Sequence, residues 1–283
     1  MAFADVDGVR LFYTDDTDDT DDTSDPGDTD RASHGSVLLL VHGWGSDSHE
    51  WSHHIPKLRE RHRVIAVDLR GHGYSSSRDT GNTPRRMAAD LAELLTGLGT
   101  GPVVAVGHSM GGQVVSHLAV EHPEAVRALV TVDPGYGFAE PLASGFPAMV
   151  AALRDGDTGA VAVEIDRWSY TPATPPLIRE WHRRRTLATP PHVLVEAFEA
   201  MFAVPGAIGV RPGSDGYLAR RDRPVLSFWF DPRQAAWESG LFKDPRSRTV
   251  VWEGSGHRLH EERPAEFLLV VNNWLKALAG ARA

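Results

Sequence analysis

Runs of consecutive apolar residues alternate with amphipathic stretches along most of the chain. Between the runs, residues 83–98 and 110–122 carry apolar side chains at helical spacings of three and four. Continuous apolar strands that alternate with helices are typical of a parallel sheet covered on both faces. The pattern therefore predicts an α/β fold with strands at residues 37–41, 64–67, 103–106 and 128–132. The same alternation returns at 224–230, 248–253 and 264–278.

The two ends of this pattern differ from its middle. Residues 3–13 predict a hairpin, because an Asp7-Gly8 pair of the favoured turn type separates two short β-rich runs. Residues 135–223 instead contain helix-like segments with Pro-rich joints and no convincing strand. We therefore predict a core at 1–134 and 224–283, with a helical cap at 135–223 over one end of the sheet.

Acidic residues are concentrated in one segment. The chain has a formal net charge of -9, and residues 15–30 hold nine Asp and no basic residue. Without those nine, 29 acidic residues balance 29 Lys and Arg. A neutral body lacks the clustered positive charge that nucleic acid requires, which excludes that partner. The repeated Asp-Asp-Thr triplets predict a flexible insert, because they lack the central Gly and terminal Glu of an EF-hand calcium loop.

Composition narrows the class of protein further. The 283 residues are 41% hydrophobic, enough for a substantial core, and include no Cys, which excludes disulfides and thiolate chemistry. The first residues carry acids where a secretory signal would be basic. No window approaches the roughly 18 uninterrupted apolar residues of a membrane span. We expect a soluble, cytoplasmic protein that does not bind membranes.

The segment Gly107-His108-Ser109-Met110-Gly111 follows a predicted strand and precedes a predicted helix. This G-x-S-x-G pattern in a strand–turn–helix context predicts a nucleophile elbow, with Ser109 at its tip. The sharp turn needs glycine because a Cβ at either end would meet neighbouring backbone. A serine also needs a base, and His257 follows the last predicted strand. We assign the base to His257 and leave His260 as a surface or supporting residue.

Together with two further motifs, these segments resemble the α/β-hydrolase superfamily. That resemblance implies an α/β-hydrolase fold, a mostly parallel sheet flanked by helices, with neither cofactor nor metal. It also implies an oxyanion hole made by the backbone N–H groups of Trp44 and Met110. The motifs that carry the resemblance are His42-Gly43-Trp44-Gly45, Asp68-Leu69-Arg70-Gly71-His72-Gly73-Tyr74-Ser75, Gly107-His108-Ser109-Met110-Gly111-Gly112 and Gly254-Ser255-Gly256-His257.

Two residues are candidates for the acid that orients His257. The family usually places it in a Gly-Asp-x-Asp loop, where this chain has Phe230-Asp231-Pro232-Arg233. Asp231 before Pro232 is also a pattern typical of a helix N-cap. The alternative is Asp133, at the end of the strand that follows the nucleophile, a position that some members use. We favour Asp133 because Asp231 has the stronger structural explanation.

Two other patterns suggest different chemistry. His49-Glu50-Trp51-Ser52-His53 matches the H-E-x-x-H zinc pattern, yet it follows the oxyanion loop of an already complete serine hydrolase. We therefore interpret it as a polar helix face. Arg179 and the run Arg183-Arg184-Arg185 could bind an anionic group, but a solvated cap face is the simpler interpretation.

The predicted reaction is a two-step acyl transfer. Ser109 attacks a carbonyl, His257 moves the proton, Asp133 orients His257, and water clears the acyl-enzyme. Serine at the elbow argues against the haloalkane dehalogenase and epoxide hydrolase members, which attack through a carboxylate. Three alternatives stay open: a carbon–carbon bond hydrolase, a cofactor-free oxygenase and a non-catalytic ligand receptor. A small apolar ester or lactone is the favoured substrate because the cap is rich in Phe138, Phe146, Trp168, Tyr170, Trp181, Phe198, Met201 and Phe202.

Overall fold

The computed structural model describes residues 2–15, 35–172 and 174–280. Within these ranges, eight strands form one sheet in the order β1-β2-β4-β3-β5-β6-β7-β8. Strands β3 to β8 pair in parallel, whereas β1 and β2 are antiparallel. The predicted α/β fold with a mostly parallel sheet is confirmed. The strands are β1 Ala2–Val6, β2 Val9–Asp15, β3 Val37–Val41, β4 Arg63–Val67, β5 Val103–His108, β6 Val126–Val132, β7 Val225–Trp229 and β8 Arg248–Val251.

The hairpin at the start of the chain has the predicted turn. Asp7 and Gly8 both have positive φ, 39° and 72°, as a two-residue hairpin turn requires. Asp15, predicted to open the acidic insert, is instead the last residue of β2 and pairs with Ile65 of β4. Its carboxylate lies 2.6 Å from Arg63 Nη2, so this one aspartate belongs to the sheet. The rest of the predicted insert, residues 16–30, lies outside the described residues.

Both faces of the sheet are buried, as the continuous apolar runs predict. In β3, Leu39 and Val41 face one hydrophobic cluster, while Leu38 and Leu40 face the other. Helices α2 and α3 cover the first face, and α11 covers the second. The helices of the core, outside the segment between β6 and β7, are α1 Ile55–Leu58, α2 Pro84–Gly97, α3 Met110–Glu121, α9 Pro232–Ser239, α10 Leu259–Glu262 and α11 Pro264–Gly280.

A group of helices lies between β6 and β7, where the sequence interrupts its alternation of strands and helices. Leu194 in this group accepts a hydrogen bond from Trp44 Nε1 at 3.0 Å. The Ser169 carbonyl accepts one from the His257 amide at 3.1 Å. The group therefore covers the two loops that carry Trp44 and His257, while its independence as a cap domain at 135–223 stays a prediction. Its helices are α4 Phe146–Asp155, α5 Thr158–Arg167, α6 Pro176–Ala188, α7 Pro191–Phe202 and α8 Gly213–Leu218.

Among the described residues, no helix combines the length and the apolar character that crossing a bilayer requires. The location of the protein in the cytoplasm stays a prediction from the sequence.

Candidate active site

Ser109 occupies a strained turn between β5 and α3. Its backbone has φ 52° and ψ -116°, a conformation that non-glycine residues rarely adopt. A Cβ on Gly107 would lie 2.3 Å from the Gly111 carbonyl oxygen, and one on Gly111 would lie 2.4 Å from the Val41 carbonyl oxygen. The glycines are therefore needed for this turn, as the sequence pattern predicts.

His257 contacts Asp133 across the ends of two segments that are distant in sequence. Its Nδ1 donates a hydrogen bond to Asp133 Oδ2. Asp133 directly follows β6, has a positive φ of 37°, and is held by its own amide, which donates to the Phe228 carbonyl at 2.8 Å. Burial raises the pKa of the Asp133 carboxyl, and the neighbouring His257 opposes that effect. The contact with Asp133 therefore occupies Nδ1 of His257.

Asp231, the alternative acid, caps a helix. Its Oδ1 accepts a hydrogen bond from the Arg233 amide at 2.8 Å at the start of α9. The Arg233 guanidinium, 3.1 Å away, lowers the pKa of the Asp231 carboxyl. The structure thus gives Asp231 the N-cap position that its Asp-Pro pattern predicts, while His257 contacts Asp133.

The loop that follows β3 lies against the nucleophile. A Cβ on Gly43 would lie only 3.4 Å from Ser109 Cβ, which brings the neighbouring Trp44 backbone close to the serine. Met110 is the first residue of α3, so its amide belongs to the N-terminus of that helix. The Trp44 ring packs 5.1 Å from the ring of Phe198. Both predicted oxyanion donors therefore belong to backbone that borders Ser109.

A cavity of about 460 Å³ opens above Ser109 and His257. Its remaining wall is mostly apolar and comes mainly from the helices between β6 and β7. Six of the eight side chains expected there line it, whereas Tyr170 borders a separate surface cleft of about 650 Å³ and Trp181 stacks on His53. The six lining side chains are Phe138, Phe146, Trp168, Phe198, Met201 and Phe202.

The sequence model of the Alpha/beta hydrolase family matches residues 38–268. The chain belongs to this family. It is 35% identical over 266 residues to the dihydrolipoyllysine-residue acetyltransferase component of the acetoin cleaving system of Cupriavidus necator, covering 94% of the chain and 66% of that protein. This chain spans only 34% to 66% of the length of four curated relatives that it matches.

Solved structures of this family share the fold over nearly the whole chain. A thermophilic esterase from Thermogutta terrifontis superposes with a TM-score of 0.78 at 25% identity, covering 98% of this chain and 99% of the esterase. The enol-lactonase from Burkholderia xenovorans LB400 has a TM-score of 0.78 at 20% identity, covering 97% and 100% of the two chains. This hydrolase thus has esterase and lactonase structural neighbours.

The H-E-x-x-H segment of the hydrolase adopts a different structure from the predicted polar helix face. Residues Ser48–Trp51 form a single 3-10 turn, so Glu50 points into the core with 0% of its surface exposed. His49 and His53 are exposed, and His49 Nδ1 lies 3.4 Å from Asp47 Oδ1. The prediction fails because a 3-10 turn does not place side chains on the faces that an α-helix would.

A group of buried polar residues that the sequence pattern does not predict lies behind His257. The carboxylate of Glu50 and the rings of His108 and His260 bring one ligand atom each within 4.8 Å of the others, the group among the described residues best placed to hold a metal. Of the two positions expected for His260, at the surface or supporting the site, the surface one is excluded, because His260 is fully buried beside Glu50 and His108. His108 had a sequence signal, since it lies inside the elbow motif. Glu50 and His260 had no signal for this grouping, because their burial depends on tertiary packing.

Arg258, which the pattern also does not predict, joins this group to the covering helices. Its Nη2 donates to Asp166 Oδ1 on α5 at 2.5 Å, and its Nη1 lies 3.7 Å from Glu261 Oε2. Glu261 Oε2 in turn accepts from His182 Nε2 of α6 at 2.7 Å. Burial raises the pKa of the Glu261 carboxyl to about 7. The signal for Arg258 was only its position directly after His257.

The arginines of α6 have mixed surroundings. Arg183 and Arg184 are exposed, and Arg183 pairs with Glu180 one turn away, as expected of a solvated face. Arg185 is different, because its Nε lies 3.0 Å from Asp47 Oδ1 in the loop after β3. Arg179 donates to the Thr171 carbonyl. The expected solvated face therefore holds for Arg183 and Arg184, whereas Arg179 and Arg185 are half-buried and contact neighbouring loops.

Proposed function

We propose that this chain is a serine hydrolase that cleaves a hydrophobic carboxylic ester or lactone. The observation that carries the proposal is the hydrogen bond between His257 and Asp133 beside Ser109 in its strained elbow. A serine, an imidazole and a buried carboxylate in this chain order are the elements of acyl transfer. The esterase and lactonase structural neighbours agree with this chemistry.

In the proposed mechanism, Ser109 Oγ attacks the substrate carbonyl while His257 Nε2 takes the hydroxyl proton. Asp133 keeps His257 in the tautomer whose Nε2 can accept that proton, and stabilises the imidazolium that forms. The Trp44 and Met110 amides donate to the oxyanion. His257 then protonates the leaving group, and water attacks the acyl-enzyme to release the acid and restore Ser109.

The proposed substrate follows from the cavity wall. Phe146 and Phe202 stack 4.1 Å apart between ring centroids, and Phe198 lies edge-on to Phe202 at 5.0 Å, so hydrocarbon can replace water against these rings. Arg258 borders the cavity, but its guanidinium already pairs with Asp166 and so does not offer an unpaired charge to a substrate. The cavity therefore suits an apolar acyl or ring group better than a charged one.

A fluorophosphonate probe tests the nucleophile. We expect wild-type protein to incorporate one probe per chain at Ser109, located by peptide mass spectrometry, and Ser109→Ala to incorporate none. Ser255→Ala is the matched control, because Ser255 is a buried serine in the motif that carries His257, and this variant should label normally. Labelling elsewhere than Ser109 would refute the proposal.

A substrate panel then separates the alternatives. Nitrophenyl esters of increasing chain length and alkyl lactones should be hydrolysed, with kcat/KM rising with chain length. Activity that survives Ser109→Ala and consumes oxygen would establish the oxygenase alternative. Turnover of a 1,3-diketone without any ester or lactone hydrolysis would establish carbon–carbon bond hydrolysis, and tight ligand binding without turnover would establish a receptor.

A further inference from the structure

Glu50 connects two loops that the proposed mechanism uses. Its Oε2 accepts a hydrogen bond from the Gly43 amide at 3.2 Å, one residue before the proposed oxyanion donor Trp44. Its Oε1 lies 2.7 Å from Nδ1 of His108, the residue before Ser109. One carboxylate therefore contacts both the oxyanion loop and the nucleophile elbow.

His108 extends this connection to the base. Its Nε2 lies 3.1 Å from the backbone carbonyl oxygen of His257, and the two rings are 4.7 Å apart. A carbonyl can only accept, so Nε2 of His108 carries a hydrogen and Nδ1 faces Glu50. Nδ1 of His108 and Oε1 of Glu50 lie in direct contact at 2.7 Å, and both side chains are buried. The loop of His257 is thereby linked to Glu50 through one imidazole.

Because Glu50 is buried, it depends on these contacts. Burial opposes its charge, yet the adjacent His108 and His260 bring the pKa of the Glu50 carboxyl well below its ordinary value. The carboxylate is fully covered, so no solvent can replace either partner if one is lost. A shift of Glu50 would therefore be transmitted to both loops.

The spacing between Glu50 and His108 is shorter than two ligands of one zinc ion require. Two ligand atoms on one tetrahedral zinc ion lie about 3.3 Å apart, given bond lengths of about 2.0 Å. Glu50 Oε1 and His108 Nδ1 are 2.7 Å apart, which is a hydrogen-bonding distance. Arg258 Nη1, 3.9 Å from Glu50 Oε2, supplies a positive charge beside the carboxylate.

We propose that Glu50 is a positioning residue for this active site. It holds the oxyanion loop through Gly43 and the loop of His257 through His108, so that both keep their places around Ser109. The inference rests on the proposed serine hydrolase function, and it adds a residue that touches neither substrate nor reacting atoms.

The test compares Glu50→Leu with Glu50→Gln, using the saturating rate and the half-saturating concentration of the fluorophosphonate reaction. Leucine keeps most of the volume and loses both contacts, so the saturating rate should fall about 100-fold, as a small displacement of catalytic groups does, with a nearly unchanged half-saturating concentration. Glutamine can accept from Gly43 and donate to His108 Nδ1. It should restore the rate to within about fivefold of wild type.

Glu261→Gln is the matched control, since Glu261 is a buried carboxylate of the same region that contacts neither Gly43 nor His108. We expect its saturating rate to stay within about threefold of wild type even where its melting temperature falls. His108→Asn provides a second variant that keeps the Gly43 contact and breaks the link to His257. It should lose about tenfold in rate, and it decides the question if Glu50→Leu does not fold.

Three results would overturn the proposal. Glu50→Leu, or His108→Asn in its place, could react at the wild-type rate; Glu50→Gln could react as slowly as Glu50→Leu; or purified wild-type protein could contain one zinc per chain that Glu50→Gln lacks. Absence of labelling in the wild type would refute the serine hydrolase function as well, whereas equal rates in a wild type that labels would refute only the role of Glu50.

Discussion

The proposed active site lies between two regions of opposite character. In front of Ser109 is the cavity wall, an aromatic surface formed by Phe138, Phe146, Phe198 and Phe202. Behind His257 is the polar cluster, formed by Glu50, His108, His260, Arg258, Glu261 and Asp166. The first gives the cavity an apolar lining, and the second contacts the loops that carry the proposed reacting groups.

The two regions stabilise the protein in different ways. Apolar contacts in the cavity wall depend on area and fit, so a change of one ring is absorbed partly by its neighbours. Contacts in the polar cluster are directional, and a buried charge without its partner is strongly destabilising. We therefore expect substitutions in the wall to change which substrate binds. Substitutions in the cluster should change stability, and those at Glu50 and His108 should also change the rate of the chemical step.

The largest effect on stability should come from Arg258→Met. This change leaves Asp166 and Glu261 without their shared guanidinium and should lower the free energy of unfolding by about 3–5 kcal/mol. Urea denaturation measures it. Arg233→Met is the matched control, because the Arg233 side chain is 90% exposed and its solvent-screened pair with Asp231 should contribute little to stability. Equal losses would show that the cluster is not a special region.

Acidification should destabilise the protein through three buried histidines. Burial lowers the pKa of His54 to about 3, of His72 to about 3 and of His117 to about 4. Because the unfolded chain binds these protons first, their contribution to stability is present above pH 6.5 and is lost as the pH falls. Each can add up to about 1.4 kcal/mol per pH unit. The melting temperature of the protein should therefore decrease as the pH is lowered from 7.5 to 5.

Glu261 of the polar cluster acts in the opposite sense. Its pKa, raised by burial to about 7, makes the folded state bind a proton between about pH 4.5 and 7, so this contribution is lost as the pH rises through 7. Glu261→Gln removes the opposing contribution, and its melting temperature should fall more steeply on acidification than that of the wild type. Parallel curves for the two proteins would contradict the raised pKa.

The smallest effect on stability should come from Trp168→Ala in the cavity wall. Trp168 is 77% exposed although it lines the cavity, so its loss should leave the melting temperature within about 1 °C of the wild type. The KM for an apolar nitrophenyl ester should rise about fivefold, since the substrate loses apolar contact. If KM and kcat were both unchanged, Trp168 would lie outside the substrate path.

The fold was predictable because its signals are local. The apolar run at residues 37–41 has the bounds of β3, and Asp7-Gly8 adopts the turn that its composition favours. Asp231 could be assigned to a helix N-cap for the same reason, since the Asp-Pro pair specifies that position by itself. The choice of Asp133 as the contact of His257 followed from this elimination.

The polar cluster could not be predicted, because it depends on which way short segments turn. An α-helical interpretation of His49 to His53 places both histidines on one face, but the 3-10 turn directs Glu50 inward instead. Its partners His108 and His260 come from segments 58 and 210 residues further along the chain, so no local pattern connects them. Contacts of this kind arise only when the sheet brings the loops together.

The most direct test of the account compares Asp133→Asn with Asp231→Asn in the rate of fluorophosphonate labelling at Ser109. If Asp133 orients His257, Asp133→Asn should slow labelling by about 1,000-fold or more, while Asp231→Asn, which changes only a helix cap, should stay within about threefold of wild type. A large loss in Asp231→Asn together with near-normal labelling of Asp133→Asn would contradict the proposed active site.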